Sequence, residues 1–298
     1  MQLEVWDRSR LGDVMAIVDA AMPGEALTED DVAANLFDDP DPVRVVAGGG
    51  DGGDGGGGAG VVAAVVRTGA EGRLDAFVQL VAVHPREQRR GVGQALLADV
   101  HRWAFDEMGA ASMQAGAGAP FYLWPGVDVH AIPAQSLFEA MGYRPFGGVL
   151  DLQYSSRFRA PAPDGVVVRR VIDDSDADRA LSFVSVHWPN WVAECRRGIE
   201  HATCHLAVEQ ATDQVLAFGC HSVNRFGFLG PIGTNPDRQS RGVGTALLSA
   251  IASDVMAAGL DTVQVAWIGP VRFYAKAAGA TTSRAYLKLG LPRPRPSA

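Results

Sequence analysis

Val81 to Leu97 reads VAVHPREQRRGVGQALL, and Ile232 to Leu248 reads IGTNPDRQSRGVGTALL. The two stretches align without a gap at an offset of 151, about half of a chain of 298 residues. Pro85 matches Pro236, Gln88 matches Gln239, and Arg90-Gly91-Val92-Gly93 matches Arg241-Gly242-Val243-Gly244. A repeat at half the chain length predicts two homologous domains. Both copies have the same layout: an apolar strand, a short turn containing proline, then Gln-x-Arg-Gly-x-Gly opening a helix. The helices carry Val92, Leu96, Val100 and Trp103, and Val243, Leu247, Ile251 and Val255, at the spacing of one buried face.

Working outward from the first copy, Val14 to Met22 predicts a helix, Val43 to Ala47 with Val61 to Arg67 a hairpin, and Phe77 to Val83 a strand. A helix over Gly91 to Met108, a strand over Ser112 to Ala115 and a helix over Ala134 to Met141 follow. The second half predicts the same order. A helix spans Ala177 to Val186, a hairpin joins His205–Glu209 to Val215–His221, and a strand spans Phe228 to Thr234. A helix over Gly242 to Ala257, a strand over Thr262 to Trp267 and a helix over Val271 to Ala277 complete it. Strands alternating with helices imply mixed α/β layers. Pro161 and Pro163 interrupt any regular pattern between extended segments at Val149–Tyr154 and Val166–Val171. That places a linker over 158–165, an N-terminal domain over 1–157 and a C-terminal domain over 166–298.

Composition narrows the function class. Hydrophobic residues make up 47% and charged residues 20%, which is globular composition and excludes a disordered or fibrous chain. A net charge of −8 repels phosphate backbones, so no nucleic-acid partner is expected. The charged first residues, and the lack of any apolar run near 18 residues, predict neither signal peptide nor membrane span, hence a cytoplasmic protein without a membrane partner. Three cysteines, Cys195, Cys204 and Cys220, lack metal-ligand spacing and suit a reducing compartment, so no metal is expected. The glycine-rich tract Gly48 to Gly60 reads as the tip of the first hairpin. No helix follows it, and Asp51 and Asp54 would repel a phosphate.

The chemistry therefore concentrates on the repeated loop. Backbone N–H groups at a helix N-terminus point outward unpaired, and the helix dipole favours negative charge there. Glycines let the backbone approach an anion without a Cβ in the way, and Arg89, Arg90 and Arg241 add positive charge. The competing reading is that the glycines serve only tight packing of strand on helix.

The pattern V-x-V-x-P-x-x-Q-x-x-G-x-G-x-x-L-L resembles the acetyl-CoA signature of the GCN5-related N-acetyltransferases (GNAT). The whole chain is similar to tandem proteins carrying two such domains. Tyr122-Leu123-Trp124-Pro125-Gly126-Val127-Asp128 and Trp267-Ile268-Gly269-Pro270-Val271-Arg272-Phe273-Tyr274 resemble further stretches of those proteins. The second also resembles acetyltransferase modules joined to aminosugar glycosidases. The resemblance implies an α/β fold class with two tandem GNAT (acyl-CoA N-acyltransferase) domains, each a mixed, mostly antiparallel sheet flanked by helices. It implies acetyl-CoA as cosubstrate, its pantetheine arm on Val81 to Val83 or on Ile232, Gly233 and Thr234. Its pyrophosphate would lie on Gln88, Arg89, Arg90, Gly91, Val92 and Gly93, or on Gln239, Ser240, Arg241, Gly242, Val243 and Gly244.

The family's chemistry is direct attack of an amine on the thioester. The leaving thiolate needs a proton donor, usually a tyrosine on the last helix. Tyr274 matches that position in the second domain, whereas the first has Phe138 there. This favours the C-terminal domain as the catalytic one. No carboxylate lies on Phe228 to Thr234, so the candidate bases are His221, Glu194 and His187, or a water chain. His187-Trp188-Pro189-Asn190-Trp191 either lines an acceptor pocket or fills core. The expected activity is acetyl transfer to the amine of a small molecule by a monomer or homodimer. Alternatives are an acyl-CoA-binding sensor without turnover, or a protein N-acetyltransferase.

Overall fold

The computed structural model describes residues 2–48, 58–238 and 242–294. The middle of the glycine-rich tract, and the candidate loop residues Gln239, Ser240 and Arg241, lie outside the described residues. The chain forms two compact units, Met1–Val149 with Ala285–Ala298, and Leu150–Arg284.

The first unit runs β1 (Leu3–Val5), α1 (Leu11–Ala21), α2 (Glu29–Leu36), β2 (Val43–Gly48), β3 (Gly60–Thr68), β4 (Leu74–Val83), α3 (Val92–Arg102), β5 (Ser112–Ala115), β6 (Val127–Asp128) and α4 (Ile132–Ala140). β7 (Arg144–Ser155) crosses into the second unit. That unit continues β8 (Val166–Arg170), α5 (Asp174–His187), α6 (Val192–Glu200), β9 (Cys204–Glu209), β10 (Val215–His221), β11 (Phe228–Thr234), α7 (Val243–Ala257), β12 (Thr262–Val265) and α8 (Val271–Ala278). β13 (Thr281–Pro292) returns to the first unit.

The pairing repeats. β1, β2, β3 and β4 are antiparallel neighbours, β4 and β5 are parallel, and β13 pairs antiparallel with β5. In the second unit β8, β9, β10 and β11 are antiparallel, β11 and β12 are parallel, and β7 pairs antiparallel with β12. These are the mixed, mostly antiparallel sheets expected. The units divide elsewhere than at 158–165 because β5 and β12 each need a last antiparallel neighbour. β12 takes Leu152–Ser155, assigned from sequence to the first domain, and β5 takes Leu289–Pro292, assigned to the second.

Helices cover both faces of the first sheet. Leu96, Leu97 and Val100 of α3 pack with Val62, Val78 and Met113 on one face. Val14, Ile17 and Val18 of α1 pack with Val32, Leu36, Val61 and Leu80 on the other. β3 is therefore buried from Gly60 to Arg67, and its Gly-Val-Val-Ala-Ala-Val-Val run does not alternate. Burying one such Leu or Val is worth about 1.5–3 kcal/mol. In the second unit Leu247 and Val243 of α7 pack on Ala207, Leu216 and Ala217, and Leu248, Ile251 and Val255 on Leu229, Val263 and Val265.

Two helices lie beyond the sequence pattern. α2 has buried residues at six of its eight positions, Asp31 and Asn35 included, so polarity does not alternate along it. It is set by a capping box, Thr28 and Asp31 each accepting from the other's backbone N–H. α6 carries Gly198 in its interior, where a Cβ would lie 2.8 Å from Cys220 Sγ. Close approach, not helix propensity, selects that glycine. Past Arg102 the helix expected through Met108 becomes one π turn, Met108 N–H donating to Trp103 O at 2.9 Å.

Candidate functional site

Among the described residues, each unit contains a strand whose edge is released part-way along. β4 pairs with β5 only from Asp75 to Val78, and β5 ends at Ala115. At that point the register with β3 slips, Val78 facing Ala64 and Leu80 facing Ala63, so Gln79 is a bulge. Val81, Ala82 and Val83 continue beside β3 alone. β11 repeats the device. It pairs with β12 only at Phe228 and Leu229, then slips against β10 across Gly230-Pro231, Leu229 facing His221 and Ile232 facing Gly219. Ile232, Gly233 and Thr234 continue beside β10 alone. Such an edge offers N–H and C=O groups to an extended, amide-bearing ligand, as an added strand would use them.

Each released strand points at a helix N-terminus without a side-chain cap. α3 opens behind Gly91 (φ 82°) and α7 behind Gly242 (φ 82°). The left-handed backbone at both positions requires glycine, and the first-turn N–H groups face outward for an anion. Arg89 and Arg90 are exposed beside the first helix. Gln88 Nε2 donates to Val83 O at 3.1 Å, tying turn to strand. The second glycine of each motif serves packing as well. A Cβ at Gly93 would lie 2.9 Å from Leu137, and one at Gly244 would lie 3.0 Å from Phe273 and 3.4 Å from Thr234 Oγ1. The second glycines thus serve packing, while Gly91 and Gly242 precede uncapped helix N-termini whose N–H groups suit an anion. An amide-bearing arm on the released edge and a pyrophosphate on the N–H groups fit what acyl-CoA carries.

Tyr274 stands on α8 in the cluster that includes Leu229, Val265 and Ile232, the residues on either side of the release point. It is 5% exposed, and burial pushes its phenol up to about 12. In the first unit Phe138 packs edge-on against Tyr143 at 4.9 Å, and the Tyr143 hydroxyl lies 3.0 Å from His101 Nε2.

His221 and Glu194 fall on opposite faces of the second sheet. His221 turns to the α7 face, where its Nε2 lies 3.1 Å from Asp254 Oδ2 and its Nδ1 lies 3.1 Å from Ser222 Oγ. His205 Nε2 lies 3.2 Å from the same Asp254 oxygen, and Arg170 donates to the other at 2.6 Å. Burial alone would raise the Asp254 carboxyl, but these partners hold it well below the usual carboxylate range. Both His221 nitrogens are thus engaged inside the protein. Glu194 lies buried on α6, accepting from Asn224 Nδ2 at 2.9 Å. Sequence reasoning missed Asp254, His205 and Asn224. Only the β9–β10 register brings the two histidines to one aspartate, and no local spacing shows it.

The aromatic stretch both packs and lines. Trp188 and Trp191 stack at 5.5 Å and 23°, and Trp188 lies 5.8 Å from the ring of buried Phe218. Both indoles are only half-buried. The Trp188 ring edge lies over Gly233, where a Cβ would come within 2.6 Å. The indoles therefore form a shelf against the released edge of β11. In the first unit Gln79 Nε2 of β4 donates to Phe121 O at 3.0 Å, just ahead of the Tyr122–His130 segment, and Trp124 Nε1 of that segment donates to Glu25 at 3.1 Å.

Two family models match the chain, an acetyltransferase (GNAT) domain over residues 52–145 and the acetyltransferase (GNAT) family over 174–280. No curated protein matches it. Among solved structures, the glucosamine N-acetyltransferase region of a fungal multi-domain GH3 β-N-acetylglucosaminidase matches at 20% identity and a TM-score of 0.73 over 97% of this chain. The chain spans 38% of that enzyme's length. A tandem GNAT protein from the clavulanic acid biosynthesis pathway matches at 15% identity and 0.72, covering 99% of this chain and all of the other. A GNAT protein from Sphaerobacter thermophilus matches at 18% and 0.65, covering 98% of this chain and 96% of the other. At these identities the likeness is one of fold. Among the described residues no helix is long and apolar enough to cross a membrane.

Proposed function

We propose, for a chain that belongs to the GNAT acetyltransferases as a tandem of two domains and is thereby an acyltransferase, that it moves an acetyl group from acetyl-CoA to the amine of a small molecule in its second unit. One observation carries the assignment to that unit. Of the two matching last-helix positions, Tyr274 bears a hydroxyl and shares a core cluster with Leu229 and Ile232 of β11, and Phe138 bears none. Ile232 to Thr234 would hold the pantetheine arm, and Gly242 to Gly244, with Gln239, Ser240 and Arg241, the pyrophosphate.

The chemistry asks for three things: a neutral amine, a donor to the tetrahedral oxyanion, and a partner for the departing thiolate. A phenol near 12 remains O–H throughout the neutral range. Tyr274 therefore donates a hydrogen bond to sulfur as negative charge builds there, and full proton transfer is not required of it. His221 has no nitrogen left for an amine while Asp254 and Ser222 hold it, so Glu194, itself buried and accepting from Asn224, or a water chain is a remaining candidate base. The Trp188–Trp191 shelf suits a ring-bearing acceptor, because indole faces stack on sugar rings. An amino sugar is the first substrate to try, and the net charge of −8 suits its cationic amine.

The test is release of free thiol from acetyl-CoA against glucosamine, a polyamine, free amino acids and an N-terminal peptide. Turnover on glucosamine, abolished by Tyr274→Phe, is expected. Turnover on the peptide alone would replace the small-molecule reading with protein acetylation.

A further inference from the structure

All three cysteines of the chain meet in the second unit, although 9 and 16 positions separate them in sequence. Cys195 comes from α6, Cys204 from β9 and Cys220 from β10, where Cys204 and Cys220 are cross-strand partners. Each is fully buried at 0% exposure, and the three Sγ atoms lie within 4.8 Å of one another. The helix is pressed onto this spot, since Gly198 sits one turn from Cys195 with Cys220 Sγ 2.8 Å from where a Cβ would be.

Three thiols this close have a matching ligand geometry. A bond of about 2.3 Å from sulfur to a three-coordinate centre places the sulfurs roughly 3.5 Å apart when the centre is pyramidal and roughly 4.0 Å when it is planar, inside the span observed. The donor set is sulfur only, which selects soft ions over magnesium, calcium or manganese. Burial then decides the charge. Three thiolates on a monovalent ion leave −2, and on a divalent ion −1, in a site with no exposure to water. A trivalent ion leaves zero, and uncompensated buried charge is what such a site tolerates least. Trigonal coordination also needs no fourth ligand, and among the described residues the group consists of these three sulfurs. We propose that Cys195, Cys204 and Cys220 form a binding site for a soft trivalent metalloid, of which As(III) is the representative. The exchange balances as As(OH)3 + 3 RSH → As(SR)3 + 3 H2O: three As–O bonds break, three As–S bonds form, no electron moves and no net proton is released.

The test is anaerobic calorimetric titration of the reduced full-length protein with arsenite, in two buffers of different ionisation enthalpy, after long incubation to let α6 open. One equivalent per chain, equal heats in both buffers and loss of three titratable thiols are expected. Zinc chloride, as a separate arm, is expected to bind at least 100-fold more weakly. Cys220→Ala should lose the stoichiometric event while keeping the wild-type far-ultraviolet spectrum. Cys195→Ser serves as the second variant if Cys220→Ala misfolds. Absence of an arsenite equivalent in the wild type overturns the proposal whatever the variants do. So does tighter zinc binding, proton release, or undiminished binding in either folded variant.

Discussion

A single carboxylate placed in the first turn of α7 separates the two units as donor sites. Thr245 is the third residue of α7 and Gln94 the third of α3. A glutamate there sits in a helix first turn, where negative charge favours folding by about 0.3–1 kcal/mol, so stability is preserved. A pyrophosphate on the first-turn N–H groups would lie roughly 6 Å away. One glutamate charge against a pyrophosphate that carries two, at that distance and an effective dielectric of about 40–80, costs about 1.4–2.8 kcal/mol, or roughly 10- to 100-fold. Thr245→Glu should therefore raise the KM for acetyl-CoA by that factor with kcat nearly unchanged, and Gln94→Glu should leave both within about twofold. Glutamate at Gly93 or Gly244 would answer less cleanly, because each Cβ runs into Leu137 or Phe273 before any ligand is met. The assay is steady-state thiol release, with thermal melts as the folding control. A KM raised by Gln94→Glu and untouched by Thr245→Glu would refute the reasoning and move turnover to the first unit.

Other expectations follow from single contacts. Gly233→Ala puts a Cβ 2.6 Å from the Trp188 ring and must displace that indole, so acceptor KM should rise severalfold with a change in tryptophan fluorescence. Asp254→Asn removes the partner shared by His205, His221 and Arg170, and should cost about 2–3 kcal/mol in urea unfolding at pH 7. Its carboxyl is depressed in the folded protein, so its contribution is complete above the unfolded value of about 4 and is lost as pH falls below it. The wild-type stability curve should accordingly drop below pH ~4 more steeply than that of the variant. Leu96→Ala, at 0% exposure under the first sheet, should cost about 3–5 kcal/mol with no change in the acetyl-CoA binding step.

Much of this was legible because local patterns encode it. The repeat fixes two strand–loop–helix motifs, and Ser112–Ala115, Val215–His221 and Phe228–Thr234 occur where the sequence places them. Their glycines announce the left-handed caps at Gly91 and Gly242. What local pattern cannot carry is long-range pairing. The strands that complete β5 and β12 come from Leu289–Pro292 and Leu152–Ser155, and nothing in their own residues names a partner. α2 escaped because buried Asp31 and Asn35 erase its amphipathic contrast, and α6 because Gly198 breaks its helical signal for a packing reason. In the candidate site Tyr274 was readable from its motif. The confinement of His221 by Asp254 was not, since it depends on which face of β10 the ring takes after the slip at Gly219. The meeting of three unspaced cysteines has the same origin in strand register.

The central claim is that acyl transfer runs through Tyr274 in the second unit. Single-turnover thiol release by Tyr274→Phe tests it most directly, with Phe138→Tyr as the matched change in the first unit and acetyl-CoA affinity measured alongside. The account predicts a fall of about 100-fold or more in the chemical step for Tyr274→Phe at unchanged acetyl-CoA affinity, losing one hydrogen bond made to charge in the transition state. Phe138→Tyr should change nothing. A Tyr274→Phe enzyme that releases thiol within twofold of wild type would contradict it.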